Sequence, residues 1–170
     1  MSKLILPGDV RCAGRYEARI VRAGRVIDAF AFDNIVVTEG LNQVLGSALG
    51  GASAITTWYL GLYEGNYTPI ASDTAATIAA NAVETSAYAG GVRPTWTPAA
   101  AASGSITNAA SRATFTFNAD KTIYGAFMIS SQVIGGTAGK LLSAARFPTQ
   151  KIVANGDQLL MTYTFNATSA

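Results

Sequence analysis

The chain has 170 residues and a mass of 17.6 kDa, which is the size of one domain. It contains no histidine and one cysteine, Cys12, so the side chains that carry most catalysis and transition-metal binding near neutral pH are almost absent. This composition argues against most enzymes and against a disulfide framework. We expect no enzymatic activity, no cofactor and no metal.

The surface is expected to carry few charges. Charged residues make up 13% of the chain, against about 25% in an average soluble domain, while 49% are apolar. So little charge gives weak protection against association, which favours a protein that works in an assembly. The net charge of +2 is too small to indicate nucleic-acid binding.

The N-terminal residues differ from the rest. Residues 1–14 alternate weakly and contain Pro7-Gly8, which predicts an N-terminal arm. Their apolar run is too short for a signal peptide, and no segment of the chain approaches the roughly 20 apolar residues of a membrane span. We expect synthesis in a cytoplasm and no contact with a membrane. Basic residues are concentrated near this end: Lys3, Arg11, Arg15, Arg19, Arg22 and Arg25. They indicate either a solvated strand face or a contact with an acidic partner.

The first two strands are predicted to form a hairpin. Residues 16–20 alternate apolar and charged side chains, a second strand covers 25–32, and Ala23-Gly24 between them favours a turn. A two-residue turn places Arg19 opposite Asp28. It also sets Arg22 against Arg25, and this like-charge contact either counts against so short a turn or indicates an acidic partner there.

One convincing helix follows a short strand at 35–37. It is predicted over 38–49, with Thr38 as its cap, Glu39 at the positive end of its dipole and Gly50-Gly51 after its end. Its apolar stripe is interpreted as core packing rather than as a partner groove, and consists of Leu41, Val44, Leu45 and Leu49.

The middle of the chain changes character. Residues 56–64 are apolar on both faces, which predicts a central strand. Residues 66–111 are rich in small residues and are predicted to be a low-complexity loop or arm region with little core. Within them, a short helix at 74–82 and a strand at 91–97 are compatible with the pattern.

The last third has the clearest strand pattern. Strands are predicted at 113–118, 122–130, 140–147 and 158–166, separated by Gly- and Asn-rich turns. In the last strand, Leu159, Met161, Tyr163 and Phe165 share one face and Thr162 and Thr164 the other. The chain is therefore predicted to be a single, mainly β domain over 1–170. Its expected fold is an antiparallel β-sandwich with one short helix and long loops or arms. A jelly-roll topology is compatible with this pattern.

Candidate sites of chemistry are weak. Residues 134–141 faintly resemble a phosphate-binding loop, but Ile134 stands where glycine is needed and Leu141 where a hydroxyl is needed. The carboxylates are scattered, so no pair suggests acid-base work. Six aromatic residues could form a sugar-binding face, but we interpret them as core and interface anchors: Trp58, Tyr59, Tyr63, Tyr67, Tyr88 and Trp96. The predicted protein-interface residues are Arg11, Arg15, Arg22, Arg25, Tyr67, Tyr88 and Trp96.

Four stretches of the chain resemble a family of small structural proteins of tailed bacteriophages. They are NIVVTEGLN at 34–42, TWYLGLYEGNYTP at 57–69, YGAFMISS at 124–131 and LLSAARF at 141–147. The resemblance covers most of the chain from about Asn34 onward. It lies in the overall residue pattern and in short segments, not in a functional motif, so no site residue of the family can be assigned to this chain.

The resemblance implies a virion protein made in the host bacterial cytoplasm. Of the roles in that class, the resemblance first implies a capsid decoration or cement protein. Its expected partners are the major capsid protein and copies of itself, with which it would form a homo-oligomer. No nucleic-acid partner is expected. The alternative is a tail- or fibre-associated structural module, or one that binds a receptor or glycan.

Overall fold

The computed structural model describes residues 10–169, which form an antiparallel β-sandwich, as predicted. In chain order its elements are β1 (Val10–Arg22), β2 (Arg25–Asp33), β3 (Ile35–Val36), α1 (Thr38–Leu49), β4 (Trp58–Tyr63), α2 (Ala75–Asn81), β5 (Thr95–Trp96), β6 (Ser105–Thr107), β7 (Ala113–Thr116), β8 (Lys121–Ile129), β9 (Leu141–Val153) and β10 (Gln158–Ser169). Sheet A has the order β2-β1-β10-β6, with β7 also pairing with β10. Sheet B has the order β3-β9-β8-β4-β5.

The core lies between the two sheets and follows from the period of two in the long strands. In β10, Leu159, Met161 and Tyr163 are fully buried, as predicted, whereas Phe165 is only partly buried. The rings of Tyr16 and Tyr163, on paired strands, pack with their centroids 4.6 Å apart. Thr162 departs from the prediction, because it faces outward and yet is buried beside the long side chain of Glu17 on β1.

The β1–β2 hairpin has the predicted two-residue turn. Ala23 and Gly24 have φ values of 48° and 77°, and Arg22 pairs with Arg25 across the turn. Two successive left-handed residues match the twist of the flanking strands, and Gly24 takes this conformation without a steric penalty. The like-charge contact is relieved within the chain, since Asp157 accepts two hydrogen bonds from Arg22, at 2.8 and 2.7 Å.

The predicted pairing of Arg19 with Asp28 is wrong. A β-bulge between Ile20 and Val21 shifts the register, so that Arg19 lies opposite Ala29 and Ile20 opposite Asp28. Asp28 instead accepts a hydrogen bond from Lys151 Nζ at 2.8 Å, on β9 of the other sheet.

The segment 66–111 contributes more to the core than its small residues indicated. The predicted short helix is present as α2, which begins with a reciprocal capping box between Thr74 and Thr77. Ile78, Tyr88 and Trp96 are buried, so the expectation of little core is wrong. A few bulky residues, each directed inward, suffice because the segment lies against the sandwich and pairs through β5 and β6.

The prediction of an N-terminal arm is wrong for residues 10–14. Residues 10–14 belong to β1 and pair with residues 165–169 of β10. Residues 1–9 of the predicted arm lie outside the described residues. No helix within residues 10–169 has both the length and the apolar character needed to cross a membrane.

Candidate functional site

The described residues contain no cluster that suggests metal chemistry. Within residues 10–169, no group of three or more His, Cys, Asp or Glu side chains is arranged to hold a metal ion. The surface instead carries features that could bind another molecule. The main candidate lies at the end of the sandwich where α1 packs.

Helix α1 is fixed at its first turn. It begins after Val37, and no side chain caps it, so the predicted cap at Thr38 is wrong. Gly40 is the buried residue of the helix, and a Cβ there would lie 2.4 Å from the carbonyl oxygen of Leu142 on β9. Only glycine lets the helix approach the strand this closely.

Glu39 ties the same turn to two other elements. Its Oε2 accepts hydrogen bonds from the backbone N–H groups of Ala75 and Leu141, both at 2.8 Å. Lys140 Nζ lies 3.4 Å from Oε1. The carboxylate that was predicted to favour the dipole of α1 also caps the first turn of α2, and it holds both helices to the start of β9.

The outer stripe of α1 does not pack in the core. Leu45 is 56% exposed and Leu49 is 85% exposed, so the prediction of core packing is wrong for these two residues. The two sheets fill each other's inner faces and leave the helix at the end of the sandwich. Its first turn packs on β9 through Gly40, Val44 packs against the core, and the exposed leucines lie in the last two turns.

An apolar cleft opens beside this helix. It has a volume of about 160 Å³ and is lined by apolar side chains from both sheets and from α1: Val44, Trp58, Trp96, Ile106, Leu142 and Phe165. Leu45 and Leu49 lie on the same helix as Val44, about 100° and 140° around the helix axis from it. We call the cleft together with Leu45 and Leu49 the apolar end surface.

The polar atoms beneath this surface are satisfied inside the protein. Trp96 Nε1 donates a hydrogen bond to the carbonyl oxygen of Tyr163 at 3.1 Å, so its ring offers the cleft only apolar surface. Burial raises the pKa of Tyr163 to about 12, and its side chain is therefore neutral at physiological pH. The arrangement suits contact with an apolar group and provides no acid, base or nucleophile.

A larger cavity, of about 590 Å³, lies between α1 and residues 71–74. Most of its lining residues have polar side chains, and they include the carboxylates of Glu39 and Asp73. Asp73 accepts hydrogen bonds from the Tyr67 hydroxyl at 2.7 Å and from the Ile70 N–H at 2.9 Å. Because both carboxylates already hold neighbouring segments together, we interpret this cavity as a structural junction.

The four predicted interface arginines are exposed but do not form one cluster. Arg11 and Arg15 lie on β1, and Arg15 pairs with Asp33 at 2.9 Å across exposed surface. Arg22 and Arg25 lie at the β1–β2 turn, where Asp157 neutralises Arg22. The hydrogen bond to Asp157 raises the pKa of Arg22 and lowers that of Asp157. This acid belongs to the chain itself, so the clash at the turn is not evidence for a partner.

The three predicted interface aromatics have different environments. Tyr88 is buried in the core against Phe115, so the interface prediction is wrong for Tyr88. Trp96 is 7% exposed and is mainly a core residue that also forms part of the cleft wall. Tyr67 is half-buried and its hydroxyl binds Asp73. Isolated aromatics in a segment of small residues do not reveal from sequence which side they face.

No family model matches the chain, and no curated protein matches it significantly. Of the residues at the apolar end surface, Trp96 was predicted as an interface residue and the others were not. The available signal was the stripe of α1, which fits a partner groove as well as it fits a core.

Proposed function

We propose that this protein is a non-enzymatic structural protein of a bacteriophage virion, and that it binds the capsid exterior as a decoration or cement protein. The observation that carries the proposal is the apolar end surface, on a chain with few charges. The resemblance of four stretches to phage structural proteins is the reason for choosing a phage virion as the assembly to which the protein binds. Two exposed leucines on a helix that also lines an apolar cleft offer surface that another protein can cover.

The energetics favour such a contact. Full burial of an exposed leucine side chain at an interface stabilises the complex by about 1.5–3 kcal/mol. Leu45 and Leu49 start at 56% and 85% exposed, so their burial contributes on the order of 2–4 kcal/mol per copy. That is too little for strong attachment of one copy, because association itself costs several kcal/mol. Many copies, or further contacts made by each copy, would multiply the effect.

A tail- or fibre-associated station is the alternative, since the same surface would serve there. A glycan-binding role receives less support. Tyr63, Tyr88 and Trp96 belonged to the aromatic set considered for a sugar-binding face, and all three are buried. Trp58 and Tyr59 on β4 are half-buried, so the described aromatics do not assemble an open platform.

The test is to add purified protein to capsids that lack it and to measure occupancy. We expect the wild-type chain to bind to saturation, whereas L45E and L49E bind at least about tenfold more weakly. The matched control is I152E, because Ile152 is 72% exposed on β9 and lies outside the apolar end surface. The control should bind like the wild type.

Two outcomes would contradict the proposal in different ways. Normal occupancy by L49E and L45E would show that the apolar end surface is not the contact. Failure of the wild-type chain to bind capsids, together with binding to isolated tails, would favour the alternative station.

A further inference from the structure

The outer face of sheet A is open. Side chains at alternate positions of β1, β10 and β2 point away from the core, and neither helix packs on this face. Most of these side chains are small or uncharged. The paired rows on β1 and β10 run from Ala13 opposite Asn166 to Arg19 opposite Leu160.

This face carries an excess of positive charge. Among the described residues, its arginines are Arg11, Arg15, Arg19 and Arg112, and its carboxylates are Glu17 and Asp33. Asp33 is already paired with Arg15. Within residues 10–169, neither Arg19 nor Arg112 has an ion-pair partner.

Those two arginines border a shallow groove of about 280 Å³. Ala29 and Ala31 of β2 and Leu160 of β10 contribute small or apolar surface to it, and Glu17 is the one carboxylate in its lining. Arg19 lies on β1, and Arg112 directly precedes β7. The strands β1 and β7 both flank β10, and the register places Arg112 in the row of Thr162 and Glu17, two residues along the strands from Arg19. The two arginines therefore stand about 12 Å apart across the sheet.

We propose that this groove docks an extended acidic segment of a partner protein, with two of its carboxylates bound by Arg19 and Arg112. The small side chains of Ala29 and Ala31 let the main chain of a bound peptide approach the sheet. The guanidinium groups can each bind a carboxylate through two parallel hydrogen bonds. The inference concerns a different face from the apolar end surface and stands independently of the proposed function.

A protein carboxylate fits this groove better than a nucleic-acid backbone does. Glu17 lies in the lining and would repel a continuous row of phosphates, whereas an extended peptide turns alternate side chains away from the sheet and so need not set a carboxylate beside Glu17. The chain's net charge of +2 also gives little of the long-range attraction that nucleic-acid binding needs. Oligonucleotide binding is therefore an outcome that the test must be able to detect.

The probe is a fluorescently labelled hexaglutamate peptide, titrated with the full chain at low salt and followed by anisotropy. We expect saturable binding that weakens as salt rises, because exposed charge pairs are screened over about 8–10 Å. R19A and R112A should each weaken it about tenfold. R146A is the matched control, since Arg146 is an exposed arginine on β9 in the other sheet, and it should bind like the wild type.

A charge-reversal variant guards against nonspecific attraction. R19E/R112E should lose hexaglutamate binding and gain binding of a hexalysine peptide, with an unchanged free energy of unfolding. The inference is overturned if R19A and R112A bind hexaglutamate as the wild type does, or if no binding occurs at low salt. Tighter binding of an oligothymidylate of the same length would overturn it as well.

Discussion

Arg93 and Glu84 form a buried ion pair whose removal should show how the middle of the chain is held. Their side chains are 0% and 2% exposed, and the guanidinium binds the carboxylate at 2.7 and 2.8 Å. Arg93 also donates to the carbonyl oxygen of Ser131 at 2.8 Å and lies 5.3 Å from the centre of the Phe127 ring. Glu84 accepts the N–H of Gly135 at 2.6 Å.

Single substitutions should be costly. R93M leaves the Glu84 carboxylate buried without its counterion, and E84L leaves the Arg93 guanidinium in the same state. Each should lower the free energy of unfolding by about 3–5 kcal/mol, because an unpaired charge inside a protein is poorly solvated. The exposed pair of Arg15 and Asp33 is the matched control, and R15M should cost less than about 1 kcal/mol.

The double variant distinguishes a coupled pair from two separate contributions. E84L/R93M removes both charges, and what remains is the loss of one hydrogen bond each at Ser131 and Gly135. At about 1–3 kcal/mol for each unsatisfied group, the double variant should cost about 2–6 kcal/mol. The sum of the single effects would be about 6–10 kcal/mol. Urea unfolding followed by tryptophan fluorescence measures the free energy of unfolding of the wild type, the two single variants and the double variant. A double-variant cost equal to the sum of the single costs would refute the coupling.

Further predictions concern a strained residue, an acid-sensitive turn and the core face of β10. Val83 has a φ of 57° at the left-handed position that follows α2, so V83G should raise stability by about 1 kcal/mol and V83A by less, measured by urea unfolding. Because the hydrogen bond from Arg22 lowers the pKa of Asp157, the stabilisation from this carboxylate is complete above its ordinary pKa of about 4. It is lost as the pH falls through the lowered value, so D157N should flatten that part of the acid unfolding curve, and an unchanged curve would contradict the assignment. Y163A should cost about 3–5 kcal/mol and F165A clearly less, because Phe165 is partly exposed in the cleft; equal costs would show that the cleft is closed.

Local patterns in the sequence predicted the elements well. Alternation identified the long strands, and the Gly24 turn gave the first hairpin its correct loop length. The register of that hairpin was predicted wrongly because a bulge depends on how two strands fit together; the local sign of it is the break in alternation at Val21, beside Ile20. The buried face of β10 was predicted correctly at Leu159, Met161 and Tyr163, since a strand in the middle of a sheet has a layer on one side.

Features that depend on distant residues could not be predicted. The period of α1 identifies which leucines share a face, but whether another layer covers Leu45 and Leu49 depends on where the helix sits. Arg93 binds the carboxylate of Glu84, 9 positions away, and the carbonyl oxygen of Ser131, 38 positions away, and neither spacing belongs to a helix or strand period that the sequence could reveal. The same holds for the groove at Arg19, which required the strand order of sheet A.

The most direct measurement of the central claim is a cryo-electron microscopy map of the particle that carries this chain. The proposed function predicts density for the sandwich on the outside of the capsid, with helix α1 and Leu49 facing a neighbouring subunit. Density in the tail, or on the capsid with the apolar end surface turned toward solvent, would contradict it.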